Sequence, residues 1–490
     1  TIEQAFGAQN DIYRFYASLG ALPQVVFLMI GGVTGDLFGR RRVLLIGTSG
    51  YFVLNILCLL APGQWLLVLL TLSTWFGALA APLALATVRL SSDQRDLPLA
   101  LLIYTGALSI GSLLSPLLGV VLDPLVGWRA MFVMPIAATG LGIFMALRHI
   151  AESTMAGEHR RIDTIGSVVW ATVLLVLLYA ALGANSPTGW ARLVALAALF
   201  VGLLGVGWLV WYERHARRST GRRSPIRRRA LSVVLVVGAL MNMVLVGYFL
   251  QLFGFFGIAR GYGAVIATFA LAPALPAVLI VIGLVARFQQ RLDARVLISS
   301  GLLVMAVAAS ITAAGATWAS YWWFVIPMML LMMSYMVVAT AWTTLFFIAV
   351  QRESAGANAA ISNGAGLIGS VLGGTLPAAL LVGFGQSHYI RQLEAAGTPQ
   401  LLVEQALGAL NVALRLEAIS LPEASRIRLD QLISGYHMSY TIAFAQVLYL
   451  MAGICLVCAV FVWFGLQRSD MAALVQRATV AAVPDAIATD

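Results

Sequence analysis

The sequence predicts an all-α polytopic membrane protein, and three observations carry that prediction. Of its 490 residues 61% are hydrophobic and 10% charged, with a mean hydropathy of +0.92, whereas a water-soluble domain carries about 25% charged residues. Apolar windows near the ~20 residues needed to cross a bilayer recur along the whole chain. The short alternating segments of a membrane β-barrel are not seen. An unpaired backbone amide in lipid costs several kcal/mol, so each window is read as a helix.

Thirteen spans are legible. The first seven cover residues 12–33, 43–61, 65–88, 97–122, 130–147, 165–182 and 191–211. The other six cover 231–253, 264–285, 296–316, 321–350, 355–382 and 440–465. Three regions follow: a helix bundle over 1–150, an inserted helix pair with its linker over 151–230, and a second bundle over 231–490. The segment 386–439 lies between the last two spans. "YIRQLEAAG" and "LLVEQALGALNVALRLEAI" within it have apolar residues at three- and four-residue spacing, which predicts a pair of short amphipathic helices.

The net charge is +10, and all 30 basic residues are arginine. Nucleic-acid binding is set aside, because arginines at helix ends on the cytoplasmic side produce the same excess. Twenty-two arginines fall on one set of connections, against four on the short connections of the other. The positive-inside rule then puts residues 39–42 and the C-terminus in the cytoplasm, as in a bacterial inner-membrane protein. Thr1 lies outside and the first visible span runs inward. An odd number of spans with an external start leads to the expectation that a first transmembrane helix is missing and that the natural protein has fourteen.

No acid lies near the middle of a visible span, although intramembrane ionisable residues commonly mark ion pathways. Asn55, Asn242, Gln251 and Asn363 are polar groups inside spans. Each is either a helix–helix hydrogen bond, worth roughly 0.6–2 kcal/mol, or part of a ligand-facing wall. Trp75, Tyr104, Tyr248, Tyr335 and Trp342 near span centres are candidates for an aromatic cavity, with packing as the alternative for each. Cys58, Cys455 and Cys458 lie in apolar windows and read as small apolar filler. No metal, nucleotide or Ser/His/Asp constellation is found, so neither an enzyme nor a cofactor is expected.

Charge is concentrated in "GGVTGDLFGRRR" at residues 31–42, between the first two spans. Gly32, Asp36, Gly39, Arg40, Arg41 and Arg42 resemble the signature turn of the major facilitator superfamily, in the loop where that family has it. "GSLLSPLLG" at 111–119 resembles the family's antiporter motif through Gly111, Pro116 and Gly119, with Ser115 where glycine is usual. "GWR" at 127–129, "RRIDTIGSVVW" at 160–170, "QRESAGANAAISNGAGLIGSVLGG" at 351–374 and "TIEQAFGAQND" at 1–11 resemble the fourteen-spanner drug:proton antiporter branch. A degenerate echo of the first motif runs from Gly283 through Arg287 and Arg291 to Arg295. The resemblance implies two six-helix bundles plus an inserted pair, built by repetition around a central site.

It also implies alternating access and proton-coupled export of drugs or other amphipathic compounds. Asp36 is then expected to meet the N-terminus of the helix that begins near 355–356, Arg40 to pair with a nearby acid, and Arg41 and Arg42 to anchor to anionic lipid. The chain departs from the branch in having no arginine within 66–87, the fourth helix, and glycine at 364 after Asn363, where the branch often has arginine. An uptake or metabolite facilitator is therefore the alternative within transport. A non-transporting sensor or scaffold is the alternative outside it. The implied partners are a small-molecule substrate, protons, the lipid bilayer and a periplasmic adaptor at the segment 386–439.

Overall fold

The protein is described here from a computed structural model. It describes residues 10–61, 65–93, 96–152, 225–288, 293–318, 320–349, 355–395 and 423–466, with a few positions between 172 and 205. Every regular element among them is helical. The spans expected at 165–182 and 191–211 lie outside the described residues.

Five long helices build the first half: α1 (Asn10–Phe38), α2 (Arg40–Leu60), α3 (Trp65–Ser91), α4 (Leu97–Val126) and α5 (Val133–His149). The second half has α6 (Pro225–Ile258), α7 (Ala264–Phe269), α8 (Ala274–Phe288), α9 (Ala294–Ala314), α10 (Trp322–Ala349), α11 (Ala355–Ala395) and α12 (Glu423–Gly465). Ten helical stretches among the described residues are long and apolar enough to cross a membrane, and Pro23–Phe38 adds a shorter one.

Proline explains the one interrupted span. Pro273 has no N–H to offer the carbonyl four residues back, so the helix expected over 264–285 gives way to a tight turn between α7 and α8. The turn closes with Leu271 N donating to Thr268 O and Ala274 N to Leu271 O, each at 3.1 Å. Pro82, Pro116, Pro327 and Pro377 stay inside helices. Bundle neighbours can re-satisfy the backbone groups a proline frees.

Within the first half α3 packs on both α1 and α2, and α2 on α5. Within the second, α11 packs on α6 and α12, and α9 on α10 and α12. The core of that half is aromatic: Phe255 stacks on Phe444 at 4.3 Å and packs on Phe324 at 5.5 Å between centroids. The halves meet along two seams. α1 and α3 pack on α11, and α4 packs on α8 and α10.

The two halves share a local pattern with different surroundings. "IGSVLG" at 368–373 on α11 matches "IGSLLS" at 110–115 on α4. Gly369 and Gly373 lie directly against the backbone carbonyls of Ala239 and Met243 on α6, so α11 and α6 touch backbone to backbone. At Gly111 and Gly119 no atom among the described residues comes within 4 Å of where a side chain would start.

The segment 386–439 differs from its expectation. α11 runs unbroken to Ala395 and α12 begins at Glu423, so "YIRQLEA" continues a spanning helix instead of forming a separate short one. Residues 396–422, with the whole of the second predicted amphipathic stretch, lie outside the described residues. The two extensions are pinned together by His388 Nε2 with Gln446 Oε1 at 3.0 Å and by Ser439 Oγ donating to Gln392 Oε1 at 3.1 Å.

Candidate functional site

The turn between α1 and α2 is made by one glycine. Gly39 has φ +112°, a backbone conformation that favours glycine, and it redirects the chain from α1 straight into α2. Asp36, in the last turn of α1, is 1% exposed, and Arg40, first in α2, is 4% exposed. A buried charge is costly unless paired. Arg40 Nε donates to Asp36 Oδ1 at 2.8 Å, so the acid that pairs with Arg40 is the motif's own aspartate.

The same carboxylate reaches the other half. The backbone N–H of Gly356 donates to Asp36 Oδ1 at 3.0 Å, and that of Ala357 to Oδ2 at 2.9 Å. These N–H groups belong to the first turn of α11 and have no intrahelical acceptor. A negative charge there also meets the positive end of the helix dipole, worth up to ~2 kcal/mol when partly buried. Close approach is made possible by two glycines. A Cβ on Gly32 would lie 2.5 Å from Gly356 O, and one on Gly356 would lie 2.5 Å from Gly32 O.

Arg41 and Arg42 are engaged within the protein, which corrects the expectation that they serve lipid alone. Arg41 Nη2 donates to Leu147 O at 2.7 Å, and Arg42 Nε lies 3.5 Å from Glu152 Oε2. Both partners belong to the end of α5 and the residues just after it. A basic run read along the sequence gives its charge but not the helix end that folds back to meet it.

Further from this end, the seam between α4 and α10 is closed by Thr105 and Thr340, whose hydroxyls are 3.5 Å apart, and by Ser109 Oγ donating to Met336 Sδ at 3.3 Å. Beyond Ser109 a cavity of about 450 Å³ opens between α4, α6 and the α7 region. Ser112, Pro116, Phe249, Phe253, Thr268 and Met332 are among its walls, and no charged side chain lines it. Its hydroxyl donors are already spent: Ser112 on Ser109 O and Thr268 on Ala264 O. Ser115 is exposed on α4 beside this wall.

The span-centre candidates do not line this cavity. Tyr248 is fully buried with its hydroxyl 2.8 Å from that of Thr312. Gln251 is 4% exposed, and Trp342 stacks on Phe346 in the second-half core and covers Gly238. These three belong to packing, a correction to their reading as cavity residues. Depth in the membrane is legible from position in a span, but the direction a side chain faces is not.

The other five sit between halves or helices. Trp75 stacks on Phe27 at 5.3 Å between centroids, and its indole N–H has no partner among the described residues. Tyr335 donates to Asn242 Oδ1 at 3.2 Å, while Asn242 donates to Gly238 O at 2.8 Å. Tyr104 is half-buried against the core, and Asn363 is half-buried on α11. The cavity residues that the sequence did not single out include Leu245, Phe249 and Phe253 on α6, whose four-residue spacing is the signal that marks one helix face.

Two bundles of membrane-spanning helices, joined at one end by a carboxylate on a helix N-terminus and separated nearer the other by a cavity, define a polytopic membrane protein of two facing halves. The chain belongs to the Major Facilitator Superfamily, whose family model matches residues 1–374. It is 28% identical over 308 residues to the multidrug resistance protein Stp of Mycobacterium tuberculosis, covering 62% of this chain and 57% of that one. It is 26% identical over 284 residues to the methylenomycin A resistance protein of Bacillus subtilis, covering 58% and 60%. The matched stretch thus spans little more than half the length of these curated relatives. Among solved structures, the human organic anion transporter MFSD10 superposes with a TM-score of 0.58 at 14% identity, covering 93% of this chain and 83% of that one. The proton:xylose symporter XylE superposes with a TM-score of 0.54 at 12% identity, covering 95% and 89%.

Proposed function

We propose that this protein is an alternating-access transporter that exports amphipathic compounds in exchange for protons. The observation that carries the reading is the carboxylate of Asp36, shared between Arg40 of its own half and two backbone N–H groups of the other. Such a contact is a latch. It holds the halves together at one end while leaving α1 and α11 able to part, because the polar contacts are hydrogen bonds that water can replace. The arginine excess puts the latch on the cytoplasmic face. The state described here is then closed to the cytoplasm, with its cavity in the outer half.

Export is supported by the resistance proteins among the relatives. The cavity favours uncharged or weakly polar molecules over permanent cations, since an ion would be desolvated there without a counter-charge. Gly32, Asp36, Gly39, Arg40, Arg41 and Arg42 form the gate, and Gly111, Ser115, Pro116 and Gly119 form the bend in the cavity wall. At 1.5 Å per residue, the 41 residues of α11 are about twice as long as a bilayer core is thick. The part beyond the membrane offers a docking surface for a periplasmic adaptor.

Transport in inside-out vesicles tests the reading. An acid interior should drive accumulation of a neutral lipophilic dye, and nigericin should abolish it. Flux that survives collapse of the gradient would favour a facilitator. Absence of any flux would favour the scaffold.

A further inference from the structure

A second carboxylate stands behind the latch. Glu152 follows α5 by three residues and meets the turn between α1 and α2. Its Oε1 accepts the backbone N–H of Arg41 at 3.1 Å. That N–H lies in the first turn of α2, where no intrahelical acceptor exists. The residue at the cap position is Gly39, which has no side chain to supply one. Glu152 therefore caps α2 from 111 residues away, with a negative charge at the helix end that favours it.

Gly39 is also what makes room for this cap. A Cβ at position 39 would lie 2.6 Å from Glu152 Oε1, so the carboxylate fills the space that any other residue would need. The positive φ and the cap thus impose the same requirement at one position. Arg41 adds a second tie from the same turn, through its side chain to Leu147 O. Arg40 sits between these fixed neighbours, and its guanidinium is the group that holds Asp36. The chain of contacts runs from Glu152 to the backbone at 39–41, from there to Arg40, from Arg40 to the Asp36 carboxylate on α1, and from Asp36 to the first turn of α11.

We infer that Glu152 is a positioning residue for the gate: by capping α2 it fixes Arg40 and keeps Asp36 aimed at the N-terminus of α11. This rests on the latch reading given above. Arg42 contributes little to the effect. Its side chain is 76% exposed, and an ion pair that open to solvent is weak.

The test uses the full chain with Thr340→Cys, a near-isosteric change at a fully buried position on the seam between α4 and α10. The readout is the rate at which a membrane-impermeant maleimide modifies that cysteine in inside-out vesicles, relative to the same chain without it. Asp36→Asn is the control for the latch and should raise the rate. Glu152→Ala should raise it about fivefold, the worth of one helix cap. Glu152→Gln keeps an acceptor oxygen and should raise it less, and Arg42→Ala, which removes only an exposed ion pair, should raise it less than Glu152→Ala does. If Asp36→Asn raises labelling and neither Glu152 variant does, the inference is overturned and the latch stands. If Asp36→Asn has no effect, the latch reading itself fails. An Arg42→Ala effect as large as that of Glu152→Ala would assign the role to the ion pair and overturn the cap. A Glu152 variant that lowers thermal stability without changing the labelling rate has only a structural role, which also overturns the inference.

Discussion

Asp36 Oδ1 lies 3.0 Å from the backbone nitrogen of Gly356 and 2.8 Å from Nε of Arg40, so one oxygen serves both halves of the molecule. Asp36→Asn removes the charge from both contacts. Hydrogen bonds to charged groups contribute roughly 1.5–3 kcal/mol each. Transport should fall at least about tenfold, at an unchanged level of membrane-inserted protein. Vesicle flux normalised to protein on an immunoblot measures this. Normal flux at normal expression would refute it.

Asp36→Asn also leaves Arg40 buried without its counter-ion. Breaking a buried pair from one side costs roughly 3–5 kcal/mol, whereas removing both charges costs much less. The double variant Asp36→Asn with Arg40→Gln should therefore be more stable in detergent than Asp36→Asn alone, while transport stays low in both. A melting curve for each variant separates the two effects. Additive losses of stability would contradict the pairing.

Gly356→Ala places a methyl group 2.5 Å from Gly32 O and 2.7 Å from Asp36 Oδ1, and the Gly32 carbonyl is backbone that cannot give way. The halves should then fail to close at this end, with transport lost. Gly32→Ala should produce the same defect. Combining the two should add little, because either one holds the same seam open. A double variant much worse than both singles would sink this account.

The matched patterns on α4 and α11 predict opposite tolerance. Gly369→Ala drives a methyl into the carbonyl of Ala239 and should lower the melting temperature and yield strongly. Gly111→Ala meets open space among the described residues and should leave both near the parent value. Fluorescence-detected size exclusion of the two variants after a heating series is sufficient to compare them.

Tyr248 and Phe249 are neighbours with different surroundings. Tyr248→Phe removes a buried hydrogen bond to Thr312 and should cost about 0.5–1.5 kcal/mol of stability with an unchanged KM. Phe249→Ala removes an aromatic wall of the cavity and should raise KM for a lipophilic substrate several-fold. A KM effect at Tyr248 and none at Phe249 would mean that substrate sits elsewhere.

These contrasts also show what the sequence makes visible. The spans that fall on described residues were legible because apolar length alone decides them, and the meeting of Asp36 with the start of α11 was legible only as what the family resemblance implies. Glu152 was not. An acid just past a helix end looks like any other solvated charge, and its importance comes from a turn 111 residues away. Tyr248, Gln251 and Trp342 show a different loss. Their depth was readable, but azimuth depends on how neighbouring helices pack, which no single span encodes. The continuous helices of α11 and α12 show a third. Periodicity marks where amphipathic helix exists but not whether it continues the helix before it.

On the second half, the Asp36 contact uses only main-chain atoms. Nothing about the side chain of Ala357 enters the contact, and position 356 matters only by having none. The evolutionary burden of the closed state is therefore carried unequally. One half must keep an aspartate, an arginine and two glycines in register. The other need only begin a helix at the right place with one glycine in its first turn. The second half is thus free to change its side chain at position 357, while Ala360, fully buried one turn on, is held small by the close approach of Gly32.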